Sequence, residues 1–248
     1  MANENKFPTE VVELPSKGYF YPKENPLSTG KVEIKYMTAK EEDILTSVNL
    51  IEQGIVLDVL LKALIVDKDI DLDTMLLGDK NALFISARVL AYGNEYEFTL
   101  GNETGTVDLS TLKTRDIDFS KVERGINSFE YKIPSAKREL TFKLLTQKDD
   151  ASIREEVEAL KKAGVSIDKE VSTRLKHIIT SVDGKADKAY INNFVDNEFL
   201  SRDTLAFRKH VATVTPDLDM EAEVTLSNGE RRKVSVPMTV TFFWPTVK

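Results

Sequence analysis

The chain repeats the order of its own local signals, and that repetition restricts it to an architecture of two similar units. Lys31-Val-Glu-Ile-Lys-Tyr-Met-Thr-Ala-Lys-Glu-Glu-Asp-Ile44 passes from period-two alternation into a helix start, and Glu139-Leu-Thr-Phe-Lys-Leu-Leu-Thr-Gln-Lys-Asp-Asp150 does the same. Alternating apolar positions are Val32, Ile34 and Tyr36 in one copy and Leu140, Phe142 and Leu144 in the other. Thr38 pairs with Thr146, Lys40 with Lys148 and Glu41 with Asp149. Thr38-x-x-Glu41 is a capping box, in which the cap residue and the acid three places on satisfy each other's free N–H groups, and Thr146-x-x-Asp149 is a near relative.

The correspondence extends beyond these segments. Ile44, Val48 and Ile51 lead to Gly54, as Ile153, Val157 and Leu160 lead to Gly164, and each glycine suits a left-handed helix end. A second helix follows at Val56–Ile65 in one copy and at Val171, Leu175, Ile178 and Ile179 in the other. Leu76-Leu-Gly-Asp79 with Phe84 matches Phe199-Leu200 with Asp203 and Phe207, ahead of a third helix of about eight to ten residues. Each copy closes in a hairpin: Glu97–Leu100 and Val107–Ser110 around Gly101–Gly105, and Glu223–Leu226 and Val234–Pro237 around Ser227–Glu230.

The expected fold is α+β, two tandem repeats of a strand–helices–β-hairpin module. It divides into an extended arm (1–30), a first repeat (31–112), a connector (113–138) and a second repeat with an aromatic tail (139–248). Phe129-Glu-Tyr-Lys-Ile133 alternates and adds a short strand within the connector, while Asp183–Asp187 is an inserted surface loop.

Composition narrows the chemistry. A net charge of −7 argues against a general nucleic-acid or anionic-membrane binder, since those need clustered cations to displace counterions. The densest cationic cluster, Arg231-Arg-Lys233, reads as the solvated side of a strand. No apolar run approaches the roughly 20 residues that span a bilayer, and the polar start leads into no secretory signal. With no cysteine, disulfides, thiolate catalysis and cysteine-ligated zinc are excluded.

No catalytic constellation stands out. His177 and His210 are the only histidines, neither has a metal-ligand partner at helical spacing, and no serine sits in a nucleophile elbow. Glu41-Glu-Asp43 and Asp149-Asp150 are explained by helix capping, where negative charge opposes the macrodipole favourably. Asp67-Lys-Asp-Ile-Asp-Leu-Asp73 lacks the glycine and final glutamate of a calcium loop and reads as a solvated turn. Glycine-rich phosphate loops are absent. No catalytic, cofactor-binding or metal-ligating residue is assigned, and no cofactor is expected.

Two segments carry residues that the repeat does not demand. One is Val11–Pro22, extended and aromatic; the other is Pro237–Pro245, which holds the single Trp. The tail either folds back on its own core, which packing alone slightly favours, or docks on a partner, since aromatics are enriched in interface hot spots.

Leu14-Pro-Ser-x-Gly18-x-x-Tyr21-Pro22, Met37–Thr46, Leu77-Gly-Asp-Lys-Asn81 and Phe242-Phe-Trp-Pro245 together resemble the baseplate hub protein family of T-even-like tailed bacteriophages. The resemblance spans nearly the whole chain. It implies a non-enzymatic hub component or hub-assembly chaperone of a contractile-tail baseplate, working in a hetero-oligomeric assembly with other tail proteins. The place implied is the host cytoplasm during assembly and, for a retained component, the virion baseplate. Partner contacts are assigned to Leu14, Pro15, Gly18, Tyr19, Tyr21, Pro22, Phe242, Phe243, Trp244 and Pro245. The resemblance also implies paired cysteines, and zinc, in the hairpin turns. This chain departs there with Gly101-Asn-Glu-Thr-Gly105 and Ser227-Asn-Gly-Glu230, so a metal-free protein is expected. Two other readings stand beside it: a small ligand-binding or regulatory module with a pocket between the repeats, and a hydrolase whose triad is assembled in space around His177 or His210.

Overall fold

The computed structural model describes residues 8–243, apart from the side chain of Lys121. The fold is α+β. Its first half opens with β1 (Thr9–Glu13) and β2 (Lys31–Lys35), antiparallel with Val12 opposite Val32. Ile34 of β2 also bridges Ile65 on its far side. Then come α1 (Ala39–Leu45), α2 (Val48–Glu52), α3 (Val56–Leu64), the long α4 (Leu77–Tyr92) and the hairpin of β3 (Glu95–Leu100) and β4 (Glu103–Asp108).

The second half follows the same order. β5 (Phe129–Lys132) pairs with β6 (Glu139–Phe142), which leads to α5 (Gln147–Lys162) and α6 (Glu170–Ile178). β7 (Ile179–Val182) pairs back on β6, as Ile65 does on β2. α7 (Lys188–Asn197) has no counterpart in the first half; α8 (Ser201–Val214) and the hairpin of β8 (Glu221–Thr225) and β9 (Arg231–Ser235) do.

Local chemistry recurs at matched places. Thr38 Oγ1 donates to Glu41 Oε2 at 2.7 Å and Thr146 Oγ1 to Asp149 Oδ2 at 3.1 Å, so both caps form. In each, the lysine three residues before the cap, Lys35 or Lys143, meets the same acid at 2.7 Å. Gly54 and Gly164 take φ of 68° and 81° just past α2 and α5. Leu76 and Leu200 precede α4 and α8 with nearly identical φ/ψ, −64°/145° and −63°/146°. These pairs are compatible with the tandem-module reading.

Several elements differ from expectation. The helix expected through Ile44, Val48 and Ile51 is broken into α1 and α2. The Thr46 hydroxyl donates to the carbonyls of Glu42 and Asp43 there, the local competition that makes Thr a poor helix-interior residue. The third helices are longer than expected, at 16 and 14 residues, because they begin at Leu77 and Ser201, inside the stretches read as lying ahead of them.

The four sequential segments also do not match the two cores. The arm is not free: Leu14, Phe20, Tyr21 and Leu27 are buried in the first core with Val32, Leu60 and Leu83. The connector supplies the equivalent piece to the second module, where Ile133 joins Leu140, Phe142, Phe194 and Phe207. Val224, Leu226, Val236, Phe242 and Phe243, expected with the second repeat, complete the first core. The two hairpins abut, with Ser227 N donating to Thr104 O at 2.8 Å, and this contact carries the C-terminal segment across. Gly105 makes room for it, since a Cβ there would lie 2.6 Å from Phe98 Cζ and 3.2 Å from Leu226 Cδ2.

Among the described residues, no helix is long and apolar enough to cross a membrane.

Candidate functional site

Six of the eight described residues assigned to partner contacts face inward. Leu14, Pro15, Gly18, Tyr21, Phe242 and Phe243 are buried within this chain, Tyr19 is half-buried against Phe119, and Pro22 is exposed. Trp244 and Pro245 lie outside the described residues. Aromatic side chains in an extended segment have two ways to leave water, and here the chain's own core supplies the first. As a free surface, the assignment fails for six of these positions.

What these segments build is a buried polar knot. Asp79, in the first turn of α4, receives Ser16 N at 2.9 Å on one oxygen, and the hydroxyls of Ser16 and Tyr21, each at 2.6 Å, on the other. Tyr21 in turn accepts from Leu76 N at 2.9 Å, satisfying the N–H at the start of α4. Gly18 N closes onto Ser16 Oγ at 3.1 Å. Only glycine fits at position 18: its φ is +74°, and a Cβ would lie 2.3 Å from Ser28 O.

Burial raises the Asp79 pKa, opposed by the hydrogen bonds from Ser16 and Tyr21. Burial, and then the neighbouring carboxylate, push the Tyr21 phenol above its usual range. Ser16 and Asp79 are fully buried, and the serine hydroxyl points at a carboxylate with no imidazole beside it. Such a group positions backbone, clamping the arm's turn to the start of a helix. The second module has a reduced version: Ser135 Oγ donates to Asp203, which holds the place of Asp79, but Ser135 is exposed.

A second polar cluster joins the modules. Lys80 Nζ, nearly buried, bonds Asp58 Oδ1 at 2.5 Å and also meets Gln147 Oε1. Asp58 continues to Arg154 at 3.4 Å, Arg154 to Asp150 at 3.6 Å, and Asp150 to Arg174 at 3.1 Å. Burial lowers the Lys80 pKa, and Asp58 opposes the shift. Beside this chain lies a cavity of about 420 Å³ lined from both modules, including Leu57, Phe84, Arg154, Arg174 and Met238. A pocket between repeats is thus present, but its charged walls already satisfy one another. A ligand entering would have to exchange existing ion pairs for its own.

The histidines are placed separately. His177 Nε2 meets Glu156 at 3.1 Å, and His210 stacks on Tyr131 at 5.0 Å, where burial lowers its pKa. Neither bonds a serine among the described residues. No group of three or more His, Asp or Glu side chains suited to a metal ion occurs among them either. The aspartates of 67–73 bond neighbouring backbone N–H groups, as Asp67 does to Asp69 and Asp71 to Asp73.

Sequence reasoning quoted Ser16 and Asp79 within motifs but gave them no role. Lys80, Asp58 and Gln147 it did not single out as a cluster. Asp58, interrupting the apolar run from Ile55 to Val66, was the available signal. Compared with family models, curated proteins and solved structures, the chain matches none.

Proposed function

We propose that this chain is a non-enzymatic structural or assembly protein of a contractile phage-tail baseplate, a hub component or a chaperone of hub assembly, acting through contacts with other tail proteins. One observation carries the reading. The four segments that resemble the hub family lie far apart in sequence, yet they meet in one place. Leu14 with Tyr21, Leu45, and Phe242 with Phe243 share the first core, and the Leu77–Asn81 start of α4 is tied to it through Asp79, which bonds Ser16 and Tyr21. The resemblance therefore rests on residues that jointly specify one fold, a stronger basis than four independent short matches.

The surface that offers contacts to tail proteins is then not the arm's buried aromatic turn, Leu14–Tyr21. α2 buries no residue, and Val48, Ile51 and Ile55 are 65%, 43% and 37% exposed. An apolar cluster of this kind, rimmed by polar residues, suits a protein partner.

The test mixes purified full-length chain with hub and wedge intermediates of a contractile-tailed phage and separates them by gradient sedimentation. Co-migration with hub material is expected, and its loss in the Val48→Asp/Ile51→Asp variant with unfolding temperature unchanged. A chain that sediments alone beside every intermediate would refute the proposal.

A further inference from the structure

We infer that the free edge of β1 is a docking site for an extended, basic-and-apolar peptide segment of another protein, which adds to the sheet as its missing strand. Among the described residues the sheet ends on β1, which pairs with β2 alone. Leu14 N donates to Gly30 O and Tyr36 N to Pro8 O, so the register puts Glu10 and Val12 among the residues bonded to β2. Thr9, Val11 and Glu13 turn their N–H and C=O groups to the opposite edge, where no described backbone group meets them. Such an edge templates strand addition, and natural proteins usually cover or disrupt it.

A groove of about 420 Å³ runs along this edge. Glu10–Glu13 form one wall, and Ala82, Ile85 and Val89 of α4 with Leu109 and Leu112 supply apolar surface. Aligning Ser135 with Ser16 and Asp203 with Asp79 puts Tyr131 where the first module has Val12, and His210 where it has Ser86. Those two rings stack on each other in the second module. The first module has small side chains at both positions, and an incoming strand would supply the bulk they lack.

Charge decides the occupant. Glu10 and Glu13 are the ionisable residues lining the groove; Glu13 reaches Lys31 across the β1–β2 pair at 3.3 Å but stays largely exposed. A second copy pairing through its own β1 would bring four carboxylates together, so self-association is disfavoured. A strand with large apolar residues toward Ile85 and Val89, on the Val12 face, and lysine or arginine on the opposite face beside Glu13, is complementary. This inference does not depend on the tail-assembly reading, because the edge and groove would take such a segment in any assembly.

The experiment titrates full-length chain with two synthetic ten-residue peptides, one alternating Phe and Val with Lys, the other with Glu in place of Lys. Saturable binding of the lysine peptide is expected, with slowed hydrogen exchange at the amides of Thr9, Val11 and Glu13. Val11→Pro removes a donor from the free edge and leaves the β2 ladder intact, as proline is tolerated on edge strands. It should weaken binding by at least about tenfold, a loss of about one hydrogen bond's worth of affinity. Glu10→Lys/Glu13→Lys, which leaves backbone and core untouched, should reverse the preference toward the glutamate peptide. No saturable binding of the lysine peptide, equal binding of both peptides, or a preference unmoved by the charge reversal would overturn the inference. So would dimerisation through β1.

Discussion

Tyr21→Phe tests whether the Asp79 knot is what fixes the N-terminal segment. The substitution keeps the ring and its packing and removes one oxygen. That oxygen donates to Asp79 at 2.6 Å and accepts from Leu76 N at 2.9 Å. A hydrogen bond to a charged group contributes about 1.5–3 kcal/mol, and a buried donor left without a partner costs about 1–3 kcal/mol. The two overlap, since Asp79 keeps both bonds from Ser16, so the expected loss is about 3 kcal/mol. With a urea slope near 2 kcal/mol per molar, the unfolding midpoint falls by about 1.5 M. Ser135→Ala is the control. It breaks the matched contact to Asp203, but at an exposed serine that water can replace, and should cost about 1 kcal/mol or less. If Tyr21→Phe costs under about 1 kcal/mol, or no more than Ser135→Ala, the knot is incidental and the arm is held by apolar burial alone.

Other expectations are shorter. Gly78→Ala puts a Cβ 1.9 Å from Pro216 O, so α4 or the segment after α8 must shift, at about 3 kcal/mol, measurable by thermal unfolding. Burial by itself would raise the Glu41 pKa, but hydrogen bonds from Lys35 and Thr38 outweigh it and hold it below the ordinary 4.5. A depressed acid stabilises the fold above its unfolded value and loses that contribution as pH falls through the folded one. The stability gap between wild type and Glu41→Gln should therefore be full at neutral pH and shrink on acidification below about 4.5. Asp79 has the opposite sign, because its raised pKa makes the fold gain stability as pH falls through the folded value, so the stability of wild type relative to Asp79→Asn should rise on acidification. Removing residues 1–22 should abolish cooperative unfolding, monitored by near-ultraviolet circular dichroism, because it takes Leu14, Phe20 and Tyr21 out of the first core.

What could be read in advance was local. Thr38 with Glu41 and Thr146 with Asp149 announce helix starts because capping needs residues three apart, and Gly54 and Gly164 announce ends because only a few residues accept positive φ. The start of α4 carries no capping signal in the sequence because Leu76 offers no capping side chain; its N–H is met instead by Tyr21, 55 residues earlier. Ser16 and Asp79 are 63 residues apart, and nothing in either neighbourhood names the other. The aromatic arm gave a real signal of burial, but composition alone does not say whether a partner or the chain's own core receives it. The crossing of the C-terminal hairpin into the first core was equally hidden, since either module's apolar face could have taken it.

That crossing has a consequence for how the protein is made. Arg88 bonds the Phe242 carbonyl across 154 residues, and Phe243 packs edge-on against Phe84. The module synthesised first thus cannot close its core until Phe242 and Phe243 have left the ribosome. The later half, whose buried set runs from Ile133 to Phe207, has its parts in hand sooner. Chain order and folding order are inverted, and a product truncated before Phe242 leaves the earlier module open, with Phe84 and Tyr96 uncovered for proteases and chaperones to find.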